Sequence, residues 1–224
     1  SNINVIDGKT LPGTSPIVAP SSPTGYVILT DVLIDGAANF VIDGTGNGVQ
    51  SDPRIFPGNG TTAPFAPTVT ISGGNGIIGN VSANLVFQGT LQADVDGEQL
   101  AIGAGSWSAP GTLSAINNGA LRFFGSMNNA GQSVTVDTAG GSLLWTGAGQ
   151  FNQAVLNGTP GSTLVVPTGT YTMTSNVMNL DMALLNAASI NVISGLELNN
   201  NILITAPLSP TGLVFVDTQE LSGS

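Results

Sequence analysis

Histidine and cysteine are absent from this chain of 224 residues. Without histidine there is no Ser–His pair for nucleophilic catalysis. Without cysteine there is neither a disulfide framework nor a thiolate metal site. A chain of this length builds a core without either. Positive charge is almost missing as well. Lys9, Arg54 and Arg122 are the 3 cations against 13 acidic residues, for a net charge of −10. Binding to a nucleic-acid backbone needs a field of Lys and Arg, so DNA and RNA are not expected partners. Charged residues make up only 7% of the chain, against about 25% in an ordinary soluble domain. No apolar run reaches the roughly 18 residues of a membrane-spanning helix, so no membrane span is expected. A basic segment followed by an apolar one is also missing at Ser1, as in a mature chain whose leader has been removed.

What is present is a hydrophobic fraction of 41%, enough for a core, set among Gly, Ser, Thr and Asn. Water therefore meets hydroxyls and amides more than ions, and proteases that cut after Lys or Arg find few sites. Both traits suit an extracellular, cell-surface or virion protein.

Short apolar runs centred on Leu85, Ile102, Leu121, Leu143, Leu164, Leu184 and Ile202 return at steps of roughly 20 residues. They are rich in Val, Ile, Thr and aromatics and bounded by Gly or Asn, which is a strand pattern. Weaker runs follow at Val134, Val155, Met173 and Val214. Two strands per turn, repeated, predict a parallel β-solenoid in which each turn buries its inner face only against its neighbours. Seven or eight turns would make a rod on the order of 35 Å long. Gly and Asn suit the corners, and Asn117, Asn118, Asn128, Asn129, Asn157, Asn199 and Asn200 would permit amide ladders. An antiparallel sandwich or jelly roll fits the same strand lengths and is the alternative. Helical spacing is found only over 176–188.

Most of the 13 prolines lie in residues 1–67. They forbid helix and interrupt strands, so this part reads as an arm or cap with short strands, ahead of a solenoid domain over 68–224. Residues 10–24 read as an extended arm. Asp7-Gly8, Asp35-Gly36 and Asp43-Gly44 read as tight turns.

The run from Gly161 through Leu164, Val165, Val166, Pro167, Gly169 and Tyr171 to Met173 resembles an opening rung of pectate-lyase-like right-handed β-helices, phage tailspikes among them. The run from Ala188 through Ile190, Val192, Gly195 and Leu196 to Asn199 and Asn200 resembles the rungs of autotransporter and haemagglutinin-type adhesins. The resemblance implies the architecture and an extracellular or virion setting. It brings no active-site residue with it.

Chemistry-bearing residues are sparse. Asp94, Asp96 and Glu98 stand at alternate positions around Gly97, and hard cations want clustered oxygens, so a calcium loop is one reading and a hairpin turn the other. The position of Gly97 does not fit an EF-hand. Asp137 and Glu197 are candidates for glycan hydrolysis by paired carboxylates. A lyase base is not evident, since Arg122 is the only cation of the repeat region. Gly73-Gly74-Asn75-Gly76 lacks the helix and Lys of a phosphate loop. Trp107 and Trp145, if outside, would stack on sugar rings or anchor a partner; buried packing is the other use. Asn59, Asn80 and Asn157 match the glycosylation acceptor pattern.

These readings lead to a non-enzymatic structural or adhesive surface protein without an obligatory cofactor. Its partner would be itself, in a trimer or filament, and surface glycans a further one. A stack leaves unpaired N–H and C=O groups at each end, and the segment from Leu213 on carries no charged or helical cap. A tailspike or tail-fibre segment that binds or cleaves bacterial polysaccharide, and a jelly-roll coat or decoration protein, are the alternatives.

Overall fold

The computed structural model describes residues 2–6, 13–19, 26–30, 34, 37–44, 54–58, 61–80, 82–147, 149–206 and 209–223, those before 34 by backbone alone. The turns expected at Asp7-Gly8 and Asp35-Gly36, and the acceptor Asn59, lie outside the described residues. Every described segment with regular structure is β. Among the described residues the named strands all pair parallel, and the one antiparallel contact is an isolated bridge between Ile116 and Gly140. The chain is a β-solenoid, and the antiparallel sandwich or jelly roll is ruled out by strand direction. The stretch 176–188 is strand, turn and strand, not helix.

Three columns of stacked strands enclose the core. The first is a leucine column. It runs from Asn2–Ile6, Tyr26–Thr30, Arg54–Pro57 and Gly76–Ile78 into the opening halves of Gln99–Ser108 and Ala120–Asn128. Ser142–Trp145, Thr163–Val166, Asp181–Leu185 and Ile202–Thr205 complete it. Its register stacks Leu100, Leu121, Leu143, Leu164, Met182 and Ile202 directly. The centres of the apolar runs at Ile102, Leu121, Leu143, Leu164, Leu184 and Ile202 all fall on this column, so the repeat visible in the sequence is its repeat.

The second column is aromatic inside. It passes from Thr62–Phe65 and Asn84–Phe87 through the closing halves of Gln99–Ser108 and Ala120–Asn128 to Gln150–Asn152, and ends at Gly212–Phe215. The third carries threonine outside. It includes Ala38–Gly44, Thr70–Gly74, Thr90–Ala93, Thr112–Ala115, Ser133–Asp137 and Val155–Gly158, and ends at Leu221–Ser222. The expectation of two strands per turn is therefore corrected to three. The aromatic column escaped because segments such as Ser106-Trp107-Ser108, Ser126-Met127-Asn128 and Gln150-Phe151-Asn152 point one apolar side chain inward each, too little alternation to read as a strand.

Stacking crosses residue 67 without a break. Ala38–Gly44 pairs with Thr70–Gly74, and Thr62–Phe65 with Asn84–Phe87. The proline-rich part thus supplies turns of the same coil. Residues 13–19, expected as part of an extended arm, are a strand paired with Ala38–Gly44. Proline is tolerated at Pro16, Pro57 and Pro64, where each strand needs only its remaining donors.

Corners are built in two ways. Long strands bend through a register shift, between Gly103 and Ser106 and again between Thr174 and Asn176. Residues in the left-handed region turn the chain elsewhere, such as Asn117 and Asn118 at φ of 52° and 59°. Gly125, at φ 88°, has a further reason to be glycine: a Cβ there would lie 1.9 Å from the Ala104 carbonyl oxygen of the turn below.

Two buried amides inside the stack are matched to backbone groups. Asn176 accepts the Ala154 N–H at 2.9 Å through Oδ1 and donates Nδ2 to the Phe151 carbonyl at 2.8 Å. Asn129, two turns earlier in the stack, does the same for Ala109, accepting its N–H at 2.9 Å and donating to its carbonyl at 3.4 Å. Each amide closes the corner of the preceding turn, where the sheet ladder is interrupted. On the flank of the threonine column a true amide ladder forms. Asn179 donates to Asn157 Oδ1, at 2.6 Å, and Asn199 donates to Asn179 Oδ1, at 2.8 Å.

Candidate functional site

Trp107 and Trp145 lie inside the coil, 2% and 0% exposed. They cannot form a stacking surface for sugars or partners, because they belong to one internal run of rings. Trp107 meets Phe123 edge-on at 5.5 Å, Phe123 stacks on Phe151 at 5.3 Å, and Phe151 stacks on Trp145 at 4.1 Å. Tyr171 closes the run against Trp145 at 4.7 Å. Neither indole N–H has a partner. The gain is burial and ring packing.

The three carboxylates around Gly97 are sent in different directions. Asp94 Oδ2 accepts from Gln92 Nε2 at 3.0 Å, and Asp96 Oδ1 from Asn118 Nδ2 at 2.8 Å. Glu98 lies across Gly74 so closely that a Cβ there would sit 2.3 Å from Oε2. Partial burial, and then the charge of Asp43, push the Glu98 carboxyl above the usual carboxylate range. Among the described residues no three acidic side chains converge on a point that would hold a cation. Alternation along the sequence suggested convergence, but 94–98 is a turn, and the acids are drawn apart, Asp94 to Gln92 of its own turn and Asp96 and Glu98 to the coils on either side.

Asp137 and Glu197 are not brought together either. Both lie on the threonine column, three turns apart, which is on the order of 14 Å along the stack alone. Paired glycosidase carboxylates stand at about 5–9.5 Å. Asp137 Oδ1 accepts from Thr159 Oγ1 and from the Ala139 N–H, both at 3.1 Å, and Glu197 Oε1 accepts from Asn199 Nδ2 at 2.7 Å. The acceptor-pattern Asn80 and Asn157 also have structural partners. Asn80 donates to the Pro57 carbonyl at 3.2 Å, and Asn157 belongs to the amide ladder.

Two further features stand out, and only the uncapped end of the stack was expected from the sequence. The first is a groove of about 470 Å³ at the corner between the aromatic and threonine columns of the last turns. Ser175, Ser194, Thr218, Glu197 and Glu220 line it. Ser175 and Ser194 turn the corner with φ of 53° and 58°, and Ser175 Oγ donates to the Ser194 carbonyl at 3.2 Å. The stacking of these corners lines the groove with hydroxyls from successive turns.

The second is the last turn itself. Ile204, Phe215 and Leu221 continue inward-facing ladders from Leu184, Val192 and Leu196, yet all three are exposed. Ile202–Thr205, Gly212–Phe215 and Leu221–Ser222 each pair with a strand of the preceding turn and present their other edge outward. An apolar surface framed by strand edges that are unpaired among the described residues is a ready template for further strands. Helices long and apolar enough to cross a membrane are absent among the described residues. No protein-family model matches the chain, and neither a curated protein nor a solved structure matches it.

Proposed function

We propose that the protein is an extracellular structural or adhesive surface component that joins copies of itself by strand addition to the exposed apolar layer of Ile204, Phe215 and Leu221. The carrying observation is the exposure of Ile204, Phe215 and Leu221 at positions whose equivalents one turn earlier are sealed. Because the strands of a solenoid run parallel, the two ends of a stack are complementary in direction. Head-to-tail contact of this kind is heterologous and extends as a filament unless rotation closes it. The sparse charge of the chain favours such contact outside the cell, since few ions must be desolvated at the joint.

Light scattering after size-exclusion chromatography tests this. Mass is expected to rise with concentration beyond that of a dimer, and F215S combined with L221S is expected to abolish that growth without lowering the β content. A wild-type monomer at tens of micromolar would remove the proposal.

A second reading has support from the groove beside Glu197 and Glu220. Hydroxyls and two carboxylates on a rod with few charged side chains suit hydrogen bonding to a polysaccharide, as in a tail-fibre segment. Incubation with capsular or O-antigen glycans tests it. Binding or chain shortening lost in E197Q or E220Q would support it, and binding unaffected by both would dismiss the groove.

A further inference from the structure

The outer side of the leucine column differs chemically from the other two. The register sets Arg122, Leu144, Val165, Ala183 and Leu203 in one line across successive turns. The corresponding line outside the threonine column reads Thr70, Thr90, Thr112, Thr135, Asn157 and Asn179. Outside the aromatic column it reads Thr62, Asn84, Ser106, Ser126, Gln150 and Thr172. Two faces offer hydroxyls and amides to water, and the third offers an apolar stripe.

That stripe begins at a cation, and three turns on a carboxylate stands beside it, two residues along the strand from Ala183. Arg122 Nε donates to Thr146 Oγ1 at 2.7 Å, which fixes the guanidinium. Its terminal nitrogens pair with no described carboxylate and are not sealed from solvent. Three turns on, Asp181 accepts from the Asn201 backbone N–H and Nδ2 through Oδ1, at 3.1 and 3.2 Å, so that Oδ2 is unengaged among the described residues. Beside Arg122 is a concavity of about 400 Å³ lined by Phe124, Thr146, Gly125 and Gly147. Leu185, partly exposed, occupies the position equivalent to Phe124 on the turn of Asp181.

We propose that this face is a self-complementary contact for a second copy of the chain, laid against it with the rod axis reversed. A two-fold axis between the turns of Leu144 and Val165 sets those two side chains against each other. It sets the turn of Arg122 against the turn of Asp181 and Ala183, and the concavity against Leu185. Arg122 and Ala183 are three turns apart, so each lies about 7 Å from the axis. Each pair occurs twice, as an isologous interface requires. Copies with a net charge of −10 repel, and pairing through a free guanidinium opposes that repulsion where they touch. Five turns of this face cover roughly 300 Å² per copy, less than half the area of about 800 Å² per partner in a stable interface. The dimer is therefore weak, with a dissociation constant on the order of 100 μM. It is separate from the end-to-end contact and does not rest on it.

Sedimentation equilibrium in the F215S/L221S background, where the end contact is silenced, is the test. R122D and D181R are each expected to raise the dissociation constant roughly tenfold or more, and the double variant R122D/D181R to restore it. Because the chain has no cysteine, cross-linking gives an independent arm. A mixture of A120C and A183C chains joined by a short bis-maleimide should give dimer, and neither chain alone should. This arm decides the matter if a charge variant fails to fold. A charge swap that restores nothing, or an A183C chain that cross-links to itself as well as to A120C, would overturn the antiparallel arrangement.

Discussion

The last two turns of the coil are nearly the same sequence problem with opposite outcomes. Leu184, Val192 and Leu196 are 0%, 0% and 2% exposed, while their register partners Ile204, Phe215 and Leu221 are 46%, 39% and 54% exposed. The residue types are alike and each set faces inward. What differs is that the first set has a turn above it and the second has none among the described residues. A side chain in a solenoid is thus buried by its neighbours and not by its own turn, and the stability of a position depends on its place in the stack.

Truncating one member of a pair measures that dependence, and the effect is the largest expected. L184A should cost about 3 kcal/mol, the usual loss for a sealed leucine that leaves a cavity. For a chain of this length that is roughly 10 °C in Tm. I204A, at the equivalent position one turn later, should cost less than about 1 kcal/mol. Thermal melts at low concentration check both. Equal losses at micromolar concentration would mean that the last turn is sealed in solution, and the contrast would then belong to the assembled form.

The buried amides allow the same comparison for polar groups. N176A strands the Ala154 N–H and the Phe151 carbonyl inside the stack, and should cost about 2 kcal/mol. Gln219 has the matching task in the last turn, accepting the Gly195 N–H at 2.8 Å and donating to the Val192 carbonyl at 2.6 Å. Water reaches that end, so Q219A should cost well under half as much as N176A. Chemical denaturation of the two variants, compared at equal slope, decides it.

The sequence made the leucine column legible because its strands place two apolar residues inward, for example Leu143 and Trp145, at a steady interval. It did not reveal the aromatic column, whose strands place one. The amide ladder was foreseen from Asn157 and Asn199 but not its middle member, Asn179, nor the buried Asn176, because both sat in a stretch with helical spacing. Local spacing says nothing of which coil lies opposite, and for that reason Asp94, Asp96 and Glu98 looked like a cluster. Each hydrogen bond that separates them comes from Gln92 or from a residue about twenty positions away. The apolar outer stripe was hidden for the same reason, since Arg122, Leu144, Val165 and Ala183 align only once the register is known.

Charge enters the comparison last, with the smallest effect. Within the closed stack Glu98 is held across Gly74 near Asp43, and burial followed by that neighbouring charge raises its carboxyl above the usual range. A raised carboxyl binds its proton more tightly in the folded chain than in the unfolded one. Stability therefore falls as pH rises from the ordinary carboxylate range through the raised value, and what is lost there stays lost at neutral pH. E98Q should raise Tm slightly at pH 7 and leave it unchanged in acid below the carboxylate range, and D43N should do part of the same. The side chain is mostly solvated, which keeps the gain small. A Tm difference between E98Q and the parent chain that grows on acidification would reverse the sign, and would mean that the ionised carboxylate is favoured where coils close on it from both sides.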